Sequence, residues 1–358
     1  MSLIKVGLVG IGAQMQENLL PSLLQMPDIR IVAACDSDPA RAKQIHRFIS
    51  DIPTMDSVPA MLDAACLDAI VMACPPQVHR EMSIRAMQRG VSVFVEKPPC
   101  ATLDELQELV ELARQCGVRT GVGMNFKFAR PVRQLREMTT SEEFGRTLHI
   151  QLNHYANKPR TPLWGLDSTL RSFLLAQAIH TIDLAVTFGQ GDLVDVQSRV
   201  QRHGDALIVK GEFTFSSGAT ASLLSGTTFP YFEFQMKLVS SSSTMVELDN
   251  LWNITVHEPE HGTRATGAAK RWRGAWQPGP LDSGYERSGY FGELYEFFDA
   301  CRTRTRFEAD FESLLPTYRI IEAICRADCA TDADLDATAI RGMHALPSKG
   351  AGLERLSA

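Results

Sequence analysis

Over the first 124 residues, short runs of consecutive apolar residues alternate with longer stretches whose apolar positions fall three and four apart. The runs at 4–9, 29–34, 67–73, 91–95 and 118–124, with a shorter one at 51–54, read as buried strands. The helical stretches between them run from the first glycine turn to Leu24, from Pro39 to Phe48, from Pro59 to Ala65, through His79 to Arg89, and from Thr102 to Cys116. Thr102 and Glu105 stand at capping-box spacing. Strand–helix alternation with short connections predicts a doubly wound parallel sheet.

The pattern then changes. A helix at 129–138 and a strand at 145–155 lead into a loop, 156–167, rich in Pro, Gly and Trp. A strongly apolar helix follows at 170–188. Strand-like runs come next at 193–201, 206–215, 219–226, 231–240 and 244–248, with helices at 290–302 and 311–327. Period-two runs separated by turns predict an open, mainly antiparallel sheet flanked by helices. The expected fold is therefore α/β followed by α+β: a dinucleotide-binding Rossmann domain over 1–124 and a substrate-binding and oligomerisation domain over 125–358.

Composition narrows the function classes. At 358 residues the chain exceeds one ordinary core. A net charge of −6 without a basic cluster argues against nucleic acid. No apolar run is expected to cross a bilayer, and a chain that enters a strand at once is expected to carry no leader, which points to the cytoplasm. The eight cysteines are scattered without a C-x-x-C pair, so reduced thiols are expected.

The chemistry concentrates at strand ends. Gly10-Ile11-Gly12-Ala13-Gln14-Met15 joins the first strand to a helix, the context of a dinucleotide fingerprint. Gly10 permits the turn, Gly12 admits a pyrophosphate, and Met15 replaces the packing glycine. Asp36 ends the second strand at the spacing expected for a ribose-binding acid, which favours NAD over NADP. Ser37 and Arg41 soften that preference, and Asp38 is the better helix N-cap. Glu96-Lys97-Pro98-Pro99 places a lysine at the carboxyl end of the fifth strand, where open α/β sheets bind ligands. An ordinary Glu–Lys pair ending a strand is the bland alternative. His180 and Asp183 share one face of the apolar helix, and a histidine there suits proton transfer near neutrality. Lys158, Arg160, Trp164, Arg171, the run Arg271-Trp272-Arg273 and Trp276 suggest a rim for a polar substrate, although solvated loops explain such residues as well. His257-Glu258-Pro259-Glu260-His261 fits H-E-x-x-H, but Pro259 breaks the helix zinc would need, so no metal is expected. Asn253-Ile254-Thr255 fits a glycosylation sequon without a secretory context.

Taken together, Gly10-x-Gly12, Asp36 with Asp38-Pro39-x-Arg41-Ala42, Cys74-Pro75-Pro76-x-x-His79, Glu96-Lys97-Pro98 and Gly123-Met124-Asn125-Phe126-Lys127-Phe128 resemble the Gfo/Idh/MocA family of NAD(P)-dependent oxidoreductases. The resemblance implies hydride transfer between nicotinamide and a sugar, polyol or related hydroxy or keto compound. It implies that Lys97 and His180 handle the proton, that Cys74, Pro75, Pro76, His79 and Glu96 border the cofactor, and that Asn125 touches cofactor and substrate. Lys127, Trp164, Arg171, Gln177 and Asp183 are the further substrate-binding expectations. The Lys97–Pro98 bond is expected to be cis. The uncovered sheet face is expected to form a homodimer or homotetramer. One departure stands out: the family's acid four residues before the histidine is Ala176 here. Two alternatives stay open: a sugar-processing enzyme that oxidises its substrate only transiently, as the resemblance implies for some relatives, and a non-enzymatic dinucleotide sensor, which Ala176 makes less remote.

Overall fold

The computed structural model describes residues 3–258, 271–276 and 284–342. Six strands, β1 (Ile4–Val9), β2 (Ile29–Cys35), β3 (Thr54–Met55), β4 (Ala69–Met72), β5 (Ser92–Glu96) and β6 (Thr120–Gly123), form a parallel sheet in the order β3-β2-β1-β4-β5-β6. Strand order reverses between β1 and β4, which opens a crevice at the carboxyl ends. Every residue of β4 and β5 is buried, as a parallel sheet covered on both faces requires. The helix Leu103–Cys116 begins at the Thr102–Glu105 capping box and ends at Gly117, whose φ of 67° is left-handed.

Eight strands build the second sheet: β7 (Thr147–Tyr155), β8 (Leu193–His203), β9 (Ala206–Phe215), β10 (Thr220–Gly226), β11 (Glu233–Ser240), β12 (Met245–Asp249), β13 (Asn253–Glu258) and β14 (Arg271–Trp276). Their order is β14-β13-β12-β11-β7-β10-β9-β8. All neighbours are antiparallel except β7 and β10. That parallel pair arises because the chain leaves β7 through a long helix and returns by way of β8 and β9. His257 lies in β13, so the apparent zinc motif starts in a strand rather than on a helix, and His261 falls outside the described residues.

The apolar helix fills the space beneath the second sheet in three consecutive pieces, Thr169–Phe173, a wide π turn over Leu174–Ala178, and Ile179–Gly189. It corrects one expectation, because its 21 residues are long and apolar enough to cross a membrane. Yet 83% of its most apolar window is buried inside the protein, as suits a core helix. The last helix, Leu315–Gly342, outruns the expected 311–327.

The helix Tyr290–Thr303 packs back against the first sheet. Its Phe297 ring lies 5.4 Å from Phe94 of β5 and 5.8 Å from Phe307, and all but the last of these is fully buried. Gly121 on β6 makes room, since a Cβ there would sit 2.8 Å from the Phe297 ring and 2.9 Å from Phe94. The Val122 amide donates to Ala309 O at 2.9 Å beside this cluster. Phe297→Ala is expected to cost about 3–5 kcal/mol through the cavity it leaves, read as a lower urea midpoint with an unchanged slope.

Candidate active site

The first of two adjoining clefts lies at the crevice between β1 and β4. Gly10 turns with φ 80°, and a Cβ on it would meet Ala73 O at 2.4 Å, so no other residue fits without moving backbone. A Cβ on Gly12 would meet nothing within 4 Å, which leaves open space above the turn. Asp36 is buried, with one carboxylate oxygen accepting from Ile11 N at 2.8 Å and the other from Asp38 N at 3.0 Å. Asp38 caps the next helix by accepting from Ala40 N at 2.9 Å. Gly10, Gly12, Asp36, Ser37, Arg41, Cys74 and Pro75 line this cleft of about 330 Å³. Open space over a glycine turn, with a fixed carboxylate at its edge, fits a dinucleotide. Ala13 is exposed beside the turn. Met15 is fully buried, so it packs the helix against the sheet and does not face the cleft.

His79 is a clamp. Completely buried, it donates from Nδ1 to Pro98 O at 2.9 Å and accepts from Cys74 N at Nε2, also at 2.9 Å. The carboxyl ends of β4 and β5 are thereby joined through one neutral imidazole. Burial pulls its pKa down to about 4. Both ring nitrogens of His79 are bonded to backbone, and it is not among the residues that line either cleft. Pro76 is buried at the start of the Pro76–Met87 helix, and Pro75, at the position just before it, is exposed.

The second cleft, about 370 Å³, holds Lys97 and His180 together with Gln14, Cys74, Glu96, Asn125, Phe126, His154, Ala176, Gln177, Phe232 and Tyr290. The Lys97–Pro98 bond is cis. Lys97 Nζ donates to Ala176 O at 2.8 Å, across 79 residues of sequence. The Ala176 carbonyl lies within the π turn, a geometry that loosens the regular helical ladder. Burial pulls the Lys97 pKa down, Glu96 pulls it back up, and Lys158 lowers it again; the net direction is down. Glu96 is buried and its pKa is raised, chiefly by that burial, while Gln14 Nε2 donates to Oε1 at 2.7 Å. Gln14 thus serves the second cleft rather than the phosphate turn.

His180 is buried and stacks on Phe126, with ring centroids 4.5 Å apart and 17° between planes. Its pKa is driven well down by burial, then by Lys97 and His154. Asn125 is buried, donating from Nδ2 to Ser288 O at 2.7 Å, while Gln177 remains partly exposed on the wall.

Four expected substrate contacts are placed elsewhere. Lys127 and Asp183 form a buried ion pair at 3.0 Å, to which Thr317 adds a hydrogen bond on Asp183. Asp183 accordingly does not orient His180. Arg171 grips Glu322 with two hydrogen bonds of 2.6 and 2.8 Å and also donates to Ala101 O. Trp164 packs on the core, and its carbonyl accepts from Gln77 Nε2 at 2.7 Å. Each is held by another part of the fold, away from the residues that line the cleft. Beyond Ala176, five lining residues were not among the expected site residues: Ala73, Phe126, His154, Phe232 and Tyr290. His154 had a legible signal, since Ile150, Leu152 and His154 share the buried face of β7 at period two.

Comparison with known proteins agrees with this architecture. The oxidoreductase family described as having an NAD-binding Rossmann fold matches residues 4–124, and the GFO/IDH/MocA C-terminal domain matches residues 132–246. The chain belongs to the Gfo/Idh/MocA family, and its first sheet is that family's NAD-binding Rossmann fold. A dehydrogenase from Chromobacterium violaceum has a crystal structure that is 76% identical, covers 95% of this chain and 99% of that one, and superposes with a TM-score of 0.91. The 1-carboxy-3-chloro-3,4-dihydroxycyclohexa-1,5-diene dehydrogenase of Comamonas testosteroni is 27% identical over 61% of this chain and 57% of its own. The D-glucoside 3-dehydrogenase of Escherichia coli is 25% identical over 51% of this chain and 53% of its own. The chain thus spans little more than half the length of these two curated relatives.

The clamp has a pH signature. Because folding lowers the His79 pKa from 6.5 to about 4, the unfolded chain takes up a proton in that window that the folded chain refuses. The stability is present above pH 6.5 and is lost as pH falls to 4, at about 1.4 kcal/mol per pH unit. His154, also held at about 4 by burial, adds a second proton. His79→Gln is expected to destabilise the protein at pH 7 by about 1–3 kcal/mol and to remove one proton from the pH slope of urea unfolding.

Proposed function

We propose that this chain is an NAD(P)-dependent dehydrogenase, with NAD preferred, acting on a carbinol of a sugar, polyol or related small hydroxy or keto compound. One observation carries the reading: Lys97 and His180 line a cleft that shares Ala73 and Cys74 with the glycine-turn and Asp36 cleft. A substrate in the second cleft therefore abuts whatever occupies the first. Bound nicotinamide would supply the hydride acceptor or donor.

The residues of the chain would handle binding, orientation and the proton. Burial favours the uncharged amine of Lys97, and its N–H donated to Ala176 O fixes the nitrogen in place. The remaining lone pair is then available to a substrate hydroxyl proton as the carbinol is oxidised. His180, held flat against Phe126 and uncharged near neutrality, is the second acceptor on the same cleft. Asp36 presents a carboxylate that suits a ribose diol and repels a 2′-phosphate. Residues on the polar outward face of the second sheet, including Gln151, Asn153, Arg199 and Lys210, would form the homodimer or homotetramer surface.

Lys97→Met is expected to leave NADH binding, read by fluorescence, within about threefold of wild type while lowering kcat about 10²–10⁴-fold. Equal turnover in variant and wild type overturns the assignment. Asp36→Ser is expected to raise the KM for NAD and to cut the NAD:NADP ratio of kcat/KM at least about tenfold.

A further inference from the structure

The second cleft has an unusual balance of charge. Lys97, His154 and His180 bring basic nitrogens to it, and Glu96 is the one carboxylate among the lining residues. That carboxylate is already engaged: Oε1 accepts from Gln14 and Oε2 from the Lys97 amide. Glu293, on the helix Tyr290–Thr303, is fully buried without a hydrogen-bond partner among the described residues. Burial and the nearby Glu96 push its pKa well up.

Two nitrogens in this wall have no partner among the described residues. His154 Nε2 and His180 Nδ1 are both shielded from solvent and unbonded, although they belong to side chains that line the cleft. Leaving buried polar atoms unpaired costs free energy that a bound partner restores. His154 is 1% exposed, and its Nδ1 lies 2.8 Å from Thr181 Oγ1, which fixes the ring. The Phe232 ring stands edge-on to it at 5.3 Å and is itself 53% exposed, so an apolar edge borders the imidazole.

We infer that the cleft is built for a hydroxy acid, with His154 holding the substrate carboxylate through Nε2 while the neighbouring carbinol meets Lys97 and His180. This rests on the dehydrogenase reading for what happens to the carbinol, but not for the binding of the anion. The geometry supplies an unpartnered donor site on a fixed ring, and the charge balance supplies the preference. Of the wall groups near His154, Lys97 lowers its pKa after burial does, His180 has its own pKa lowered by His154, and Thr181, Phe173 and Phe232 are neutral. A carboxylate on Nε2 offsets the burial that keeps the ring neutral, so binding takes up a proton on His154. In the free protein this ring sits at about 4, lowered by burial and then by Lys97. Anion affinity therefore falls as pH rises above that value, by up to about tenfold per unit. A neutral polyol of the same skeleton has no such dependence. In the oxidation itself the carbinol C–H and O–H bonds break and a C=O forms. The hydride goes to the nicotinamide and the hydroxyl proton to Lys97 or His180, and the carboxylate is unchanged.

The test is calorimetric binding to the full chain saturated with NADH, where alcohols bind without reacting. D-Gluconate, D-galactonate and D-erythronate are each paired with the alditol of the same skeleton, from pH 6 to 8 and in two buffers of different ionisation enthalpy. The expected result is that the tightest ligand is an acid, binds at least tenfold tighter than its alditol, weakens as pH rises and takes up close to one proton. Equal binding within pairs, a preference for the alditols, the absence of proton uptake, or no binding by any acid overturns the inference. His154→Gln is expected to abolish the uptake and the preference, with the alditol Kd within threefold of wild type. Ala176→Asp, which adds a carboxylate to the same wall, is expected to reverse the preference if the His154 variant fails to fold. Steady-state turnover separates the two readings. Acid binding with proton uptake but no NADH formation from NAD sinks the dehydrogenase and leaves the anion site, whereas turnover of alditols without acid preference does the opposite.

Discussion

The hydrogen bond from Lys97 Nζ to the Ala176 carbonyl is the constraint around which the site is arranged. A lysine nitrogen withdrawn from water needs an acceptor, and the nearest carboxylate, Glu96, is bound to Gln14 and to the lysine's own amide. The acceptor comes instead from the backbone of a helix 79 positions further on, where a π turn interrupts the regular ladder. A carbonyl takes the N–H without adding a negative charge. The lysine is thereby positioned while burial keeps drawing its pKa down.

Everything around that bond limits how the lysine can move. The His79 imidazole joins the ends of β4 and β5, so the backbone just after Lys97 is tied to Cys74 through Pro98. Phe126 fixes the plane of His180 from one face. The helix carrying His180 is itself anchored by the Lys127–Asp183 ion pair, which sits a turn away in the interior. Residues that looked like substrate ligands from their charge therefore act as the frame: a buried pair is fixed in orientation because either partner alone would be an uncompensated charge.

The electrostatic outcome is a cleft with three basic nitrogens and a deficit of available carboxylate. Lys97, His154 and His180 are each pushed toward their uncharged forms, mainly by burial and then by one another. Such a set accepts protons readily once an anion or a reacting hydroxyl supplies the compensating interaction. With Ala176 on its wall, the helix that carries His180 brings no carboxylate to the cleft, which sets which charges the cleft can hold.

Local pattern was enough to establish the parallel sheet, the glycine turn, Asp36 at the end of β2 and Lys97 at the end of β5. Apolar runs, glycine conformations and proline restrictions act over a few residues and are written directly in the chain. The Thr102–Glu105 cap was legible for the same reason. What the charged residues do was decided by tertiary structure, because a charge finds its partner across the fold. Arg171 meets Glu322, Lys127 meets Asp183, and Gln14 meets Glu96 at sequence separations of 151, 56 and 82. The parallel β7–β10 pair, the π turn that presents Ala176 O, and the arrival of His154 beside His180 likewise depend on how distant elements pack, which no local periodicity encodes.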